Sequence, residues 1–241
     1  IQFGGSCNSI GGTLAPIILG YLIGGSAAAA QVGDAAPAML AAMLIFLLAF
    51  VIISLTKIPE PHIETPEQCA AAKANKDQHS PLSFRHFVLG AVAIFFYVGV
   101  EVGIPNTANL YMSANPAVGP AIAGTIVGLY WLMMMFGRLL GGAVGGKVSS
   151  KAMLVTVSSL AIAMLVGVMF FPETWVVTFK GVELPISMIL MVLCGLMTSV
   201  MWGAIFNLAA EGLGKYTPAA SGIFMAMVCG GGILPFFQNL M

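Results

Sequence analysis

The sequence predicts an all-α integral membrane protein, and three observations carry that expectation. Of 241 residues, 59% are hydrophobic and 7% are charged, where a soluble domain carries about 25% charged residues. The apolar residues are gathered into seven runs long enough to cross a bilayer. One long polar segment, at about 56–86, interrupts them. Lipid is then the solvent for most of the chain, and a backbone in lipid must satisfy its own hydrogen bonds, which makes the runs helices. Barrel strands would be about ten residues long and would alternate in polarity; these runs do neither.

The runs follow in order. The first, 3–24, is rich in glycine and contains "CNSIGGTLAPIILGYLI". The second, 35–55, is almost uninterrupted apolar sequence. The polar segment after it contains "KIPEPHIETPEQ" and "KANKDQHSP", with proline and both charge signs. That composition suits a solvated linker, with a short helix around 66–76. The third run, 87–112, carries "FFYVGVEVGIPNTANLYM" at 95–112. The fourth, 121–145, repeats glycine every four residues at Gly124–Gly128, Gly137–Gly141, Gly141–Gly145 and Gly142–Gly146. Small residues at that spacing let helices approach closely. The fifth and sixth runs are 152–171 and 186–210. The seventh, 219–241, holds Gly230–Gly232 before Pro235, which reads as tight packing or as a gating hinge.

Basic residues set the orientation. Lys57, Lys73, Lys76 and Arg85 lie between runs two and three, Lys147 and Lys151 between four and five, and Lys215 between six and seven. Lys180 falls on the other side. Positive loops face the cytoplasm, so those three loops are cytoplasmic.

Other function classes are disfavoured. The net charge is zero, which speaks against nucleic acid, since binding it takes a basic footprint. Cys7, Cys69, Cys194 and Cys229 form no CxxC pair, and His62, His79 and His86 fall in or beside the polar loop. Neither a disulfide framework nor a zinc site follows, and no metal or organic cofactor is expected. A membrane enzyme would need a clustered nucleophile, base or metal ligand, and the sequence offers none.

Four motifs now occur in a telling order: "CNSIGGTLAPIILGYLI" (7–23), "YVGVEVGI" (97–104), "GRLLGG" (137–142) and "EGLGKYTPAASGIFMAMVCGGGILP" (211–235). Together they resemble the fucose–galactose–glucose:proton symporter family of the major facilitator superfamily, which includes L-fucose permease and bacterial glucose/galactose transporters. The resemblance implies a partial facilitator fold whose seven spans are helices five to eleven of twelve. Residues 1–55 would be the last two helices of the N-terminal bundle, 56–86 the central cytoplasmic linker, and 87–241 the C-terminal bundle without its last helix. It also implies uptake of a sugar coupled to protons, with sodium as the alternative ion, by a protein expected to be a monomer in a bacterial inner membrane. The family's main coupling carboxylates lie in its first and fourth helices, outside this stretch. Where the family often carries a glutamine, three residues before Asn8–Ser9, this chain has Gly5.

Within the membrane the polar residues are few. Glu101 lies roughly 21 Å into its helix counted from Phe87. An ionisable group there costs about 3 kcal/mol or more, so it should face the bundle interior or a wet cavity. Pro105 has no N–H, which frees the carbonyl of Glu101 at the same level. Tyr97, one turn earlier, shares the face. Glu101 is read as a sugar contact, a proton carrier, or a helix fastener. Arg138 lies roughly 10 Å deep from the cytoplasmic end of its helix, and Glu101 roughly 10 Å further out. A direct pair is therefore not expected, and Arg138 is assigned to closing the cytoplasmic side with Glu211 and Lys215. Asn106, Asn207 and Asn8 are candidate sugar contacts, because carboxamides both donate and accept. Trp202 is the candidate stacking surface, since an indole offers a flat apolar face and one N–H. Tyr130 and Trp131 are weaker, one of the two being expected to face lipid. Asn109, Gln238 and Asn239 read as ordinary groups near the outer end. Competing readings are a facilitator for another small neutral solute or a drug, and a membrane sugar sensor that does not transport.

Overall fold

The computed structural model describes residues 2–23, 33, 36–57, 80–114, 119–179 and 181–240. The expected short helix at 66–76 lies outside these residues. The first five runs are single helices: α1 Gln2–Ile23, α2 Ala36–Leu55, α3 Arg85–Ser113, α4 Gly119–Val144 and α5 Ser150–Phe170. Their bounds follow the hydropathy. Ser149 caps α5 by accepting from the Ala152 N–H at 3.2 Å, which supplies a partner to a helix-start donor.

The last two spans are each divided. The sixth is α6 Ile186–Thr198 and α7 Met201–Ala210, separated by a turn at 199–200. The seventh is α8 Thr217–Ala226, a 3-10 turn Met227–Cys229, and α9 Gly230–Leu240. No glycine or proline marks the first break. There the Thr198 hydroxyl donates to the Cys194 carbonyl at 3.1 Å and Ser199 to Leu196 at 2.6 Å. Side-chain hydroxyls that take helix carbonyls loosen the regular ladder.

Between α5 and α6 the chain forms a hairpin that its hydropathy did not announce, β1 Val176–Phe179 against β2 Val182–Pro185, with Val177 opposite Leu184. Gly181 sits at its turn with φ 80, a backbone that favours glycine.

Six helical segments among the described residues are long and apolar enough to cross a membrane: Ala36–Leu55, Arg85–Ser113, Ala121–Val144, Ser150–Phe170, Ile186–Ala210 and Gly214–Leu240. The seventh expected span, α1, is a helix of 22 residues outside that group. α2 presents large apolar side chains such as Phe46 and Leu55 outward, as a helix bathed in hydrocarbon does.

The buried core is stacked along the helices. The layer at the far end of α3 joins Ala108 and Met112 of α3 to Ile126 of α4, Leu184 of β2 and Met188 of α6. The middle layer is Ile104, Tyr130, Met134 and Cys194. The layer at the start of α3 joins Phe87 and Ile94 of α3 to Ile205 and Ala209 of α7 and Phe224 of α8.

Glycines set the close approaches. A Cβ on Gly128 would stand 2.9 Å from the Thr13 carbonyl of α1, and one on Gly12 2.8 Å from Cδ2 of Trp131. Gly137 and Gly141 of α4 instead face Ser199 and Val200 at the α6–α7 turn. Gly230 lies on the Phe95 backbone of α3, and Gly231 faces Val98. Gly230 and Gly231 thus pack against α3, a Cβ on Gly232 would meet nothing within 4 Å, and the irregular turn falls just before the run.

Candidate functional site

Glu101 and Arg138 meet. Nη2 of Arg138 donates to Oε1 of Glu101 at 3.1 Å, and each residue is 7% exposed. This corrects the expectation that Arg138 lies too shallow to pair with Glu101. Depth counted along the axes located the Cα atoms and ignored the side chains. In a helix each side chain leans toward its own N-terminus. α3 and α4 run in opposite directions, so Glu101 leans toward the Arg85 end of α3 and Arg138 toward the opposite side, the Gly119 end of α4. The two leans bring the side chains toward each other.

Arg138 also reaches α1. Its Nη1 donates to the Gly5 carbonyl at 2.6 Å and to Ser9 Oγ at 2.9 Å. A Cβ on residue 5 would stand 3.2 Å from Cδ of Arg138, so the glycine in place of a larger residue makes room for the guanidinium. One cation thus joins three helices, and its buried charge is balanced by a carboxylate and by neutral acceptors, as a dry site demands.

The carbonyl that Pro105 frees has a partner. The Tyr130 hydroxyl donates to the Glu101 carbonyl at 3.1 Å and lies 3.2 Å from Thr198 Oγ1. Tyr97 donates to the Thr198 carbonyl at 3.0 Å, where α6 ends. Tyr97 also stands edge-on to Trp202, 6.5 Å between ring centres. The residue on the helix face of Glu101 therefore fixes the helix break and backs the indole.

A cavity of about 380 Å³ opens in front of this group, lined by Gly5, Asn8, Glu101, Trp131, Arg138 and Trp202, with Val98 and Val228. That volume lies within the usual range for small-molecule sites. Of the sequence candidates, Glu101, Asn8 and Trp202 come together here, and Arg138 joins them. Tyr97 is one layer behind. Asn106 is not in this wall; it lines a second cavity further along α3, and its Nδ2 donates to Asn239 Oδ1 at 3.2 Å. Asn207 is exposed on α7 and does not line the central cavity. Glu211 sits with His86 and Leu89 in a separate crevice at the start of α3. Lys215 lies 5.2 Å from the centre of the Tyr216 ring.

Three residues were undervalued. Tyr130 is fully buried and Trp131 lines a cavity, so neither of the pair is spent on lipid. Gln238, read as an ordinary outer group, donates to Thr107 Oγ1 at 2.7 Å.

Comparison with known proteins agrees with this architecture. The sequence pattern of the Major Facilitator Superfamily matches residues 3–235. A glucose/galactose transporter of Brucella abortus biovar 1 (strain 9-941) is 31% identical over 238 residues, covering 96% of this chain and 54% of its own. The chain thus spans about half the length of the curated relatives it matches. Among solved structures, the outward conformation of FucP, a Major Facilitator Superfamily transporter, superposes with TM-score 0.59 at 20% identity. It covers 86% of this chain and 48% of that one. A variant of the E. coli fucose:proton symporter FucP gives TM-score 0.61 at the same identity and coverage. With helices built to cross a bilayer and a family pattern running along nearly its whole length, this multi-pass integral membrane chain belongs to the major facilitator superfamily.

Proposed function

We propose that this chain is part of a secondary active transporter that takes up a sugar, such as glucose, galactose or L-fucose, together with protons. On this reading α1 and α2 belong to the first bundle and α3 to α9 to the second. The two rock about the cavity between them, the motion expected of transporters with a binding site near the midplane. The observation that carries the reading is the buried Glu101–Arg138 pair standing in a cavity wall while Arg138 also holds α1.

Each residue then has a role. The indoles of Trp202 and Trp131 face the C–H surface of the sugar, and Asn8 and Glu101 meet its hydroxyls. Protonating Glu101 removes the charge that anchors Arg138, and so biases the contact with α1. The cavity charge is balanced, with Arg138 answered by Glu101. That favours a neutral solute over an organic acid, which would call for an unanswered cation. The names of the relatives favour a sugar among neutral solutes.

The test is sugar-induced alkalinisation of the medium by cells expressing the protein that carries this chain, with L-fucose, glucose, galactose and mannose compared. A pH rise with one or more of them is the expected result. Sodium-dependent uptake without a pH change would replace the proton by sodium. Specific sugar binding with no counterflow would favour the sensor reading.

A further inference from the structure

A second cavity, of about 460 Å³, lies along the outer half of α3. It is lined by Asn106, Asn109 and Ser113 on one side, and by Pro16, Gly124 and Trp131 on others. The three polar residues follow at intervals of three and four, so they form one face of the helix. Their hydrogen bonds leave capacity over. Asn106 uses one N–H on Asn239, and Asn109 uses its Oδ1 to accept from Ser113 at 3.4 Å. The carbonyl oxygen of Asn106 and the amide N–H groups of Asn109 remain to serve a ligand. Among the described residues, no charged side chain lines this cavity.

Trp131 is shared. Its indole lines this cavity and the central one. It is held by the close approach of Gly12 on α1, and edge-on by Tyr130 at 5.6 Å between ring centres. The two spaces are thus neighbours on one route, with an aromatic plate between them.

We propose that the outer cavity is a second binding site, for a neutral polyhydroxylated ligand such as a hexose, read by Asn106, Asn109 and Ser113 and stacked on the outer side of Trp131. Carboxamides and a hydroxyl without charge match a ring of hydroxyls, and the indole matches the apolar face of such a ring. The site holds sugar before it passes Trp131 into the central cavity. This inference rests on the sugar-transport reading above.

The experiment places a reporter thiol in the outer cavity, in the protein carrying this chain with its own cysteines replaced. Ala15→Cys, in the cavity wall but not one of the three reading residues, is labelled with a membrane-impermeant maleimide, with and without D-glucose, D-galactose or L-fucose. Leu19→Cys, in the same wall, serves as the second reporter should the first disturb folding. Each is made with and without Trp202→Ala, which damages the central site. The expected result is that the transported sugar slows labelling severalfold, and that this protection survives Trp202→Ala. Protection that disappears with Trp202→Ala would show that the outer cavity only senses occupancy of the central one, and overturns the proposal. Absence of protection in a protein that still takes up the sugar overturns it while leaving the transport reading intact. Absence of both protection and uptake for every sugar overturns the two together.

Discussion

The phenol of Tyr130 donates to the backbone carbonyl of Glu101, the acceptor that Pro105 leaves without a helical partner. A proline in the membrane thus has its consequence repaired by a side chain from the next helix. Removing that donor should leave a buried carbonyl unsatisfied, at a cost of about 1–3 kcal/mol. Tyr130→Phe is expected to lower the thermal stability of the detergent-solubilised protein accordingly. Pro105→Ala restores an N–H to the helix, so the combined variant should lose less than Tyr130→Phe alone. Equal losses in both backgrounds would count against the capping role.

The buried pair makes a second prediction. Glu101→Gln leaves Arg138 without its counter-charge, and breaking one side of a buried pair costs about 3–5 kcal/mol. Substituting both, as Glu101→Gln with Arg138→Gln, should recover part of that stability. The proposed function adds that Glu101→Gln abolishes accumulation against a gradient while sugar counterflow persists. Unchanged affinity, accumulation and pH dependence would reduce Glu101 to a helix fastener.

Two adjacent glycines of α1 should behave oppositely. A Cβ on Gly12 would stand 2.8 Å from the Trp131 ring, whereas one on Gly11 meets nothing within 4 Å. Gly12→Ala therefore forces the indole or α1 aside, a loss of about 1–3 kcal/mol by overpacking. Gly11→Ala should change stability by no more than about 1 kcal/mol, in the favourable direction. Thermal unfolding of both variants decides this, and the emission of Trp131 should shift in the first and not in the second.

Tyr97 acts through others. Losing its hydrogen bond to the Thr198 carbonyl should cost about 1 kcal/mol. Because Tyr97 also backs Trp202, the proposed function adds that Tyr97→Phe weakens sugar binding by roughly fivefold when that loss is carried into affinity. Equilibrium binding measured beside melting temperature separates this from a general loss of stability.

The sequence made some of this legible and hid the rest for physical reasons. Spans such as α2 and α5 were readable because hydrocarbon imposes one demand, a long apolar run, on every residue of the helix. The strain point was readable too, since Glu101 and Pro105 are four residues apart on one helix. The partners were not. Arg138 was misplaced because residue counting gives Cα depth, whereas the contact depends on two long side chains leaning toward each other. Tyr130 was ranked low because a donor on a neighbouring helix leaves no local pattern. The α6–α7 break was hidden since Thr198 and Ser199 cause it through their hydroxyls rather than through glycine or proline. The hairpin at 176–185 did carry a signal, in the β-branched residues around Gly181, but the apolar runs on either side overshadowed it.

The bonds of Arg138 also have an electrical meaning. Its charged partner, Glu101, sits on the adjacent helix, while from α1 it takes only a carbonyl and a hydroxyl. If α3 and α4 move together against α1, the pair moves as a neutral dipole. A unit charge carried across the bilayer is worth about 2.3 kcal/mol per 100 mV, and a balanced pair carries none. Membrane voltage should then be indifferent to this motion until a proton joins Glu101, when the moving unit becomes a cation that the field can pull.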